Sequence, residues 1–178
     1  MNSMAIKLVV FDADKTLWTH PDISSLVLPF KLVSRDILTD ANGETFQLFV
    51  GIRELLEGLE NRKVISTIAS WNKPEPVKEA LRLFAIDQFF KIVKAEFHPD
   101  KYLMIESIIS ELTRMGIEFN AHEILYVDDR TLHLEQIRKK IGSIHFIQMW
   151  VDVKAPNEIL EYVEKMEDNK RHVHPESS

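Results

Sequence analysis

Asp12 and Asp14 stand one residue apart at the end of an apolar run, Ile6 to Phe11. Along an extended backbone, residues i and i+2 lie on the same side. Both carboxylates therefore face one spot just past the end of a strand. Two carboxylates held together repel one another unless a proton or a cation sits between them. A hard divalent cation prefers such oxygens. Equally, one carboxylate can attack as a nucleophile while its neighbour carries a proton.

Further chemistry-bearing residues fall at or just after the ends of other apolar runs. Ser70 closes Val64 to Ala69. With neighbouring loop N–H groups its hydroxyl suits a phosphate oxygen, or it caps the turn before the next helix. Lys101 follows His98-Pro99-Asp100 at a helix start, where a positive charge opposes the helix dipole. Local rules are most often broken at working sites, so Lys101 is read as reaching toward Asp12, with Lys94 as competitor. Asp128 and Asp129 follow Ile124 to Val127 and add charge that a cation would offset. Asp128 is assigned to metal. Asp129 is assigned to support, holding a metal-bound water or Lys101, or to capping a helix near Thr131.

The elements that must position these residues alternate in type. Strand-like runs are Ile6 to Phe11, Val64 to Ala69, Phe90 to Val93, Ile124 to Val127 and His145 to Met149. Between them come helical faces: Ile52, Leu55, Leu56 and Leu59; Val77, Leu81 and Phe84; Leu103, Ile105, Ile108, Ile109 and Leu112; Leu134, Ile137 and Ile141. Pro74 and Pro76 suit the first turn of the second helix, and Asp100 suits the N-cap of the third. The alternation predicts an α/β, Rossmann-like parallel sheet with helices on both faces and ligands beyond the carboxyl ends of the strands. Residues from about 30 to 50 interrupt it with two strand-like runs, Lys31 to Leu38 and Thr45 to Val50, around Asn42-Gly43. This predicts a hairpin, either a flap over the site or a plain sheet edge. A last helix is expected from Pro156 to Met166. The domain is expected over 1–167, followed by a flexible tail, 168–178, holding His172 and His174.

Composition narrows the function. A chain of 178 residues suits one domain, and a net charge of −6 argues against a broad nucleic-acid-binding face. The absence of cysteine excludes disulfides, thiolate metal sites and cysteine nucleophiles. No run reaches the length of a membrane span, and no signal peptide is read, so a cytoplasmic protein is expected.

The run Asp12-Ala13-Asp14-Lys15-Thr16-Leu17-Trp18, then Ser70, Lys101 and Asp128-Asp129, resembles in order the four motifs of the haloacid dehalogenase superfamily. Trp18 makes it similar to the magnesium-dependent phosphatase-1 branch. The resemblance implies a magnesium-dependent phosphatase acting on a phosphorylated small molecule or a phosphoprotein, through an aspartyl-phosphate. It implies Asp12 as nucleophile and Asp14 as acid and base. It places Mg²⁺ on Asp12, the Asp14 backbone carbonyl and Asp128, with Ser70 and Lys101 on phosphoryl oxygens. Many such relatives carry glycine where this chain has Lys15. Trp71 and Asn72 are expected to face the substrate, Trp71 either stacking on an aromatic or sugar leaving group or packing on the hairpin. His20 is a rim candidate, and His133 is read as packing. Only about 50 residues separate the first motif from Ser70, leaving no room for a large cap domain. The rival readings are a receiver-like phospho-aspartate domain, a non-catalytic phosphate- or protein-binding protein on the same fold, and an acyl- or phosphoryl-loading relative, which 178 residues leave no room for.

Overall fold

The computed structural model describes residues 5–172, with side chains through Asn169. The chain opens with β1 (Leu8–Phe11). An inserted stretch follows, made of β2 (Lys31–Ser34), β3 (Ile37–Thr39) and β4 (Thr45–Gln47). Strand and helix then alternate: α1 (Ile52–Asn61), β5 (Ile65–Trp71), α2 (Pro74–Leu83), β6 (Phe90–Glu96) and α3 (Lys101–Arg114). The last elements are β7 (Ile124–Asp128), α4 (Leu134–Ile141), β8 (His145–Gln148) and α5 (Asn157–His172).

The main sheet has five parallel strands in the order β6-β5-β1-β7-β8. All of β1 is buried because its alternating side chains enter two cores. Val9 and Phe11 pack with α1, α2 and α5, and Leu8 and Val10 with α3 and α4. The sheet order reverses at β1, and a doubly wound sheet places ligands at that switch point. Counting the parallel strands along the chain, the order is 3-2-1-4-5. A receiver domain has 2-1-3-4-5, so the receiver reading is set aside.

The insertion differs in detail from the expected hairpin. It is a three-stranded antiparallel sheet, because the run from Lys31 to Leu38 turns at Arg35 and Asp36. Arg53 of α1 fixes that turn, bonding Asp36 Oδ1 at 2.9 and 3.0 Å and the Arg35 carbonyl at 3.0 Å. Asn42-Gly43 does form the next turn, with Gly43 at φ +88°. The carboxylate of Asp40 organises that turn, accepting the N–H groups of Val27, Asn42 and Glu44, each at 2.9 Å. Leu38 and Phe46 are buried, Phe46 against the rings of Trp18, Phe30 and Phe84.

Several boundaries move. β5 and β6 run past Ala69 and Val93 to Trp71 and Glu96, where they pair with each other. Pro74 and Pro76 lie in the first turn of α2 as expected. Asp100 occupies the N-cap position of α3 without a side-chain bond, and Leu103 is exposed. α5 passes the expected end at Met166 and reaches His172, since no glycine or proline intervenes. Residues 173–178, His174 among them, lie outside the described residues.

Candidate active site

Register brings the acids together. Phe11 lies opposite Val127 in the β1–β7 ladder, so Asp12 emerges beside Asp128 at the carboxyl edge of the sheet. The Asp12 N–H bonds the Val127 carbonyl at 2.9 Å. Carboxylate oxygens of Asp12, Asp128 and Asp129 lie within 4.8 Å of one another. From the first turn of α3, the wholly buried Lys101 bonds Asp12 and reaches Asp128 Oδ2 at 3.1 Å.

Burial pushes the Asp12 carboxyl well above the usual carboxylate range; Lys101 opposes this, while Asp128 and Asp129 add to it. Asp128 is also pushed up by burial, but Lys101, the Tyr126 hydroxyl and the Arg130 N–H hold it below the usual range. Burial disfavours the charged Lys101, yet Asp12 and Asp128 together hold its ammonium above its ordinary value. Burial and Asp128 raise Asp129. Two of the three clustered carboxylates bond one ammonium, and the all-oxygen donor set of the three fits a hard divalent cation.

Asp14 lies apart from that cluster. Its Oδ1 accepts the Trp18 indole N–H at 2.8 Å and the Ile23 N–H at 3.3 Å, and its Oδ2 accepts from Asn72 Nδ2 at 2.8 Å. Burial raises it, against these hydrogen bonds. Ser70 is fully buried; its Oγ accepts from Asn72 Nδ2 at 2.8 Å and caps no helix, since α2 begins at Pro74.

A cavity of about 360 Å³ opens over Asp12 and Asp14. Its walls follow the sheet order. Phe97 comes from the end of β6, Trp71 and Asn72 from the end of β5, Asp129 and Arg130 from the end of β7, and Lys15, Pro21 and Asp22 from the loop after β1. Trp71 and Phe97 are 40% and 67% exposed, so their rings face the opening.

His20 and the insertion depart from expectation. His20 is absent from the cavity wall: its Nδ1 accepts the Asp22 N–H at 3.0 Å and its Nε2 meets Glu44 Oε1 at 3.1 Å, tying the loop to the insertion. Asn72 lines the cavity wall but is only 1% exposed, with its amide bonded to Asp14 and Ser70. Asp129, assigned to support, joins the carboxylate cluster, and the capping alternative falls because α4 starts at Leu134 behind His133. The antiparallel insertion is no roof, since among the described residues none of β2, β3 or β4 lines the cavity. Lys94 is bonded to Glu111 instead of reaching the acids. His133 is buried, as expected for a packing residue, with Nε2 unpartnered among the described residues.

Other contributors were not foreseen. The Tyr126 hydroxyl donates to Asp128 Oδ2. The i, i+2 spacing on β7 was the available signal. Phe97 carried none, nor did Ser24, whose hydroxyl donates to Asn72 Oδ1. Lys15 takes φ +59°, a left-handed conformation that explains why glycine suits this position.

The acid phosphatase family profile matches residues 4–158. The chain belongs to the acid phosphatase family. This acid phosphatase family member is accordingly a phosphoric monoester hydrolase. It is 30% identical over 154 residues to a HAD-like hydrolase superfamily protein of Schizosaccharomyces pombe, covering 80% of this chain and 86% of that one. It is 26% identical over 156 residues to magnesium-dependent phosphatase 1 of Homo sapiens, covering 87% and 85%. In fold it is similar to a HAD-superfamily hydrolase of Geobacter sulfurreducens, with TM-score 0.61, 19% identity and 89% and 100% coverage. The same holds for 3-deoxy-D-manno-octulosonate 8-phosphate phosphatase of Moraxella catarrhalis, solved with magnesium, phosphate and KDO: TM-score 0.54, 16% identity, 92% and 88% coverage.

Proposed function

We propose that this acid phosphatase family member hydrolyses phosphate monoesters with magnesium through an aspartyl-phosphate on Asp12. The observation that carries this reading is the buried Asp12 carboxylate, paired with Lys101, clustered with Asp128 and Asp129, and facing the same cavity as Asp14. A carboxylate approaches a phosphate dianion only when positive charge shields the pair. Lys101 supplies part of that charge. Asp12, Asp128 and the Asp14 backbone carbonyl are the proposed magnesium ligands, with Asp129 beside them. Magnesium, when bound, neutralises charge on the phosphoryl oxygens.

In the first step an Asp12 oxygen attacks phosphorus and the bond to the leaving oxygen breaks. Asp14 gives its proton to that oxygen. Asp14 then takes a proton from water as the water attacks phosphorus. The bond to Asp12 breaks, and the carboxylate is restored as inorganic phosphate leaves. Ser70 and Lys101 hold phosphoryl oxygens throughout.

The proposed substrates are sugar phosphates or phosphotyrosine-type groups. Trp71 and Phe97 favour the second, since two exposed rings at one cavity mouth can stack on an aryl leaving group. Hydrolysis of p-nitrophenyl phosphate, with magnesium and with chelator, tests the reading on wild type and Asp12→Asn. Magnesium-dependent turnover that the variant loses supports it. Turnover near wild type in the variant moves the nucleophile elsewhere.

A further inference from the structure

We propose that Asn72 is a positioning residue for Asp14, and that Ser24 anchors Asn72 in that task. The proposal rests on the reading of Asp14 as acid and base.

Asn72 is fixed on every side. Its backbone N–H bonds the carbonyls of Ser70 at 3.0 Å and Glu96 at 3.2 Å, which pins the loop after β5 to the end of β6. Its two amide protons go to Asp14 Oδ2 and Ser70 Oγ, each at 2.8 Å. Its Oδ1 accepts the Ser24 hydroxyl, and Ser24 Oγ in turn accepts the Lys73 N–H at 2.9 Å. An amide offers two donors and one acceptor oxygen, and all of them are engaged here. In this orientation the amide donates to Asp14 and Ser70 and accepts from Ser24. Asn72 lines the cavity wall, but both of its amide protons are already taken by Asp14 and Ser70.

Asp14 gains a defined rotamer from this. Trp18 and Ile23 hold Oδ1, and among the described residues Asn72 is the one side chain that holds Oδ2. Without Asn72 the carboxyl can swing about its remaining bonds. Proton transfer tolerates little misplacement: errors near 1 Å cost about 10²-fold. The loop that supplies Ile23 also supplies Ser24, so both Asp14 oxygens depend on one short segment after β1.

The test compares kcat/KM on two substrates that differ in how much proton transfer they need. p-Nitrophenolate departs readily without a proton, whereas the alkoxide of glycerol 2-phosphate does not. Asn72→Ala is expected to lower kcat/KM for glycerol 2-phosphate by about 10- to 100-fold and for p-nitrophenyl phosphate far less. Ser24→Ala, at a partly exposed loop position, is expected to act in the same direction more weakly, and it carries the test if Asn72→Ala does not fold. Inhibition by inorganic phosphate should change less than about twofold, because binding is not what Asn72 serves. In an Asp14→Asn background, Asn72→Ala should add no selective loss, the non-additivity of residues acting as a unit.

Equal losses on both substrates, with weakened phosphate inhibition, would overturn the proposal and assign Asn72 to Ser70 instead. Selective loss in Asp14→Asn but none in Asn72→Ala or Ser24→Ala would overturn it while leaving Asp14 in its role. Absence of selective loss in Asp14→Asn itself would overturn both.

Discussion

Lys101 and Asp128 meet at 3.1 Å with both side chains fully buried, and the same ammonium also bonds Asp12. A lysine that begins a helix is thus drawn inward by two carboxylates ending neighbouring strands. Breaking a buried pair by removing one partner leaves uncompensated charge and costs about 3–5 kcal/mol. Lys101→Ala is therefore expected to lower the metal-free unfolding free energy by that order in urea and to slow turnover by orders of magnitude. Lys94→Ala should do neither, since a partly exposed pair such as Lys94–Glu111 contributes about 0–1 kcal/mol. A larger rate loss in Lys94→Ala would reverse the assignment.

Tyr126→Phe deletes one hydroxyl from a closed core. Asp128 then loses a donor that it cannot replace from water. Hydrogen bonds to charged groups contribute about 1.5–3 kcal/mol, and the expected destabilisation is of that size. Chemical denaturation measures it. An unchanged midpoint would mean that the hydroxyl and carboxylate are not joined.

The insertion has its own acid sensitivity through Asp40. The Val27 N–H, with those of Glu44, Asn42 and Gly43, holds this carboxyl below its ordinary value of 3.8. A folded value below the unfolded one means that the stabilisation is full above pH 3.8 and fades as pH falls through the folded value. Asp40→Ala should therefore be less stable than wild type at neutral pH, with the gap narrowing in acid below that value. Thermal melts of both proteins across pH 2–7 would show it. A gap constant with pH would contradict it.

The order of the acids, hydroxyl and lysine was legible because each of Asp12, Ser70 and Asp128 ends an apolar run and Lys101 opens a periodic helix. Strand ends in an open parallel sheet converge on one edge, so linear order became spatial order. What stayed hidden depends on contacts between distant segments. The turn at Arg35 and Asp36 has no glycine or proline and is set by Arg53 from α1. Asn72 lines the cavity, and the bonds of its amide to Ser24 and Asp14 could not be read from its loop position. His20 lies near the first motif in sequence and is drawn off by Glu44.

Trp71→Ala and Phe97→Ala should raise KM for p-nitrophenyl phosphate about 2- to 10-fold each, the scale of one lost aromatic contact. KM for glycerol 2-phosphate should hardly move. Both rings are well exposed, so melting temperatures should stay near wild type. Parallel KM changes on both substrates would deny the rings a stacking role.

On the proposed route, phosphorus passes through Asp12. Acid quench of the Asp14→Asn variant during turnover of p-nitrophenyl phosphate, followed by peptide mass spectrometry, tests it most directly. Loss of Asp14 should slow hydrolysis of the intermediate and let it accumulate. One phosphoryl group is expected on the peptide containing Asp12, absent from the Asp12→Asn, Asp14→Asn double variant. A phosphoryl group on another residue, or product release with no covalent adduct at any quench time, would contradict it.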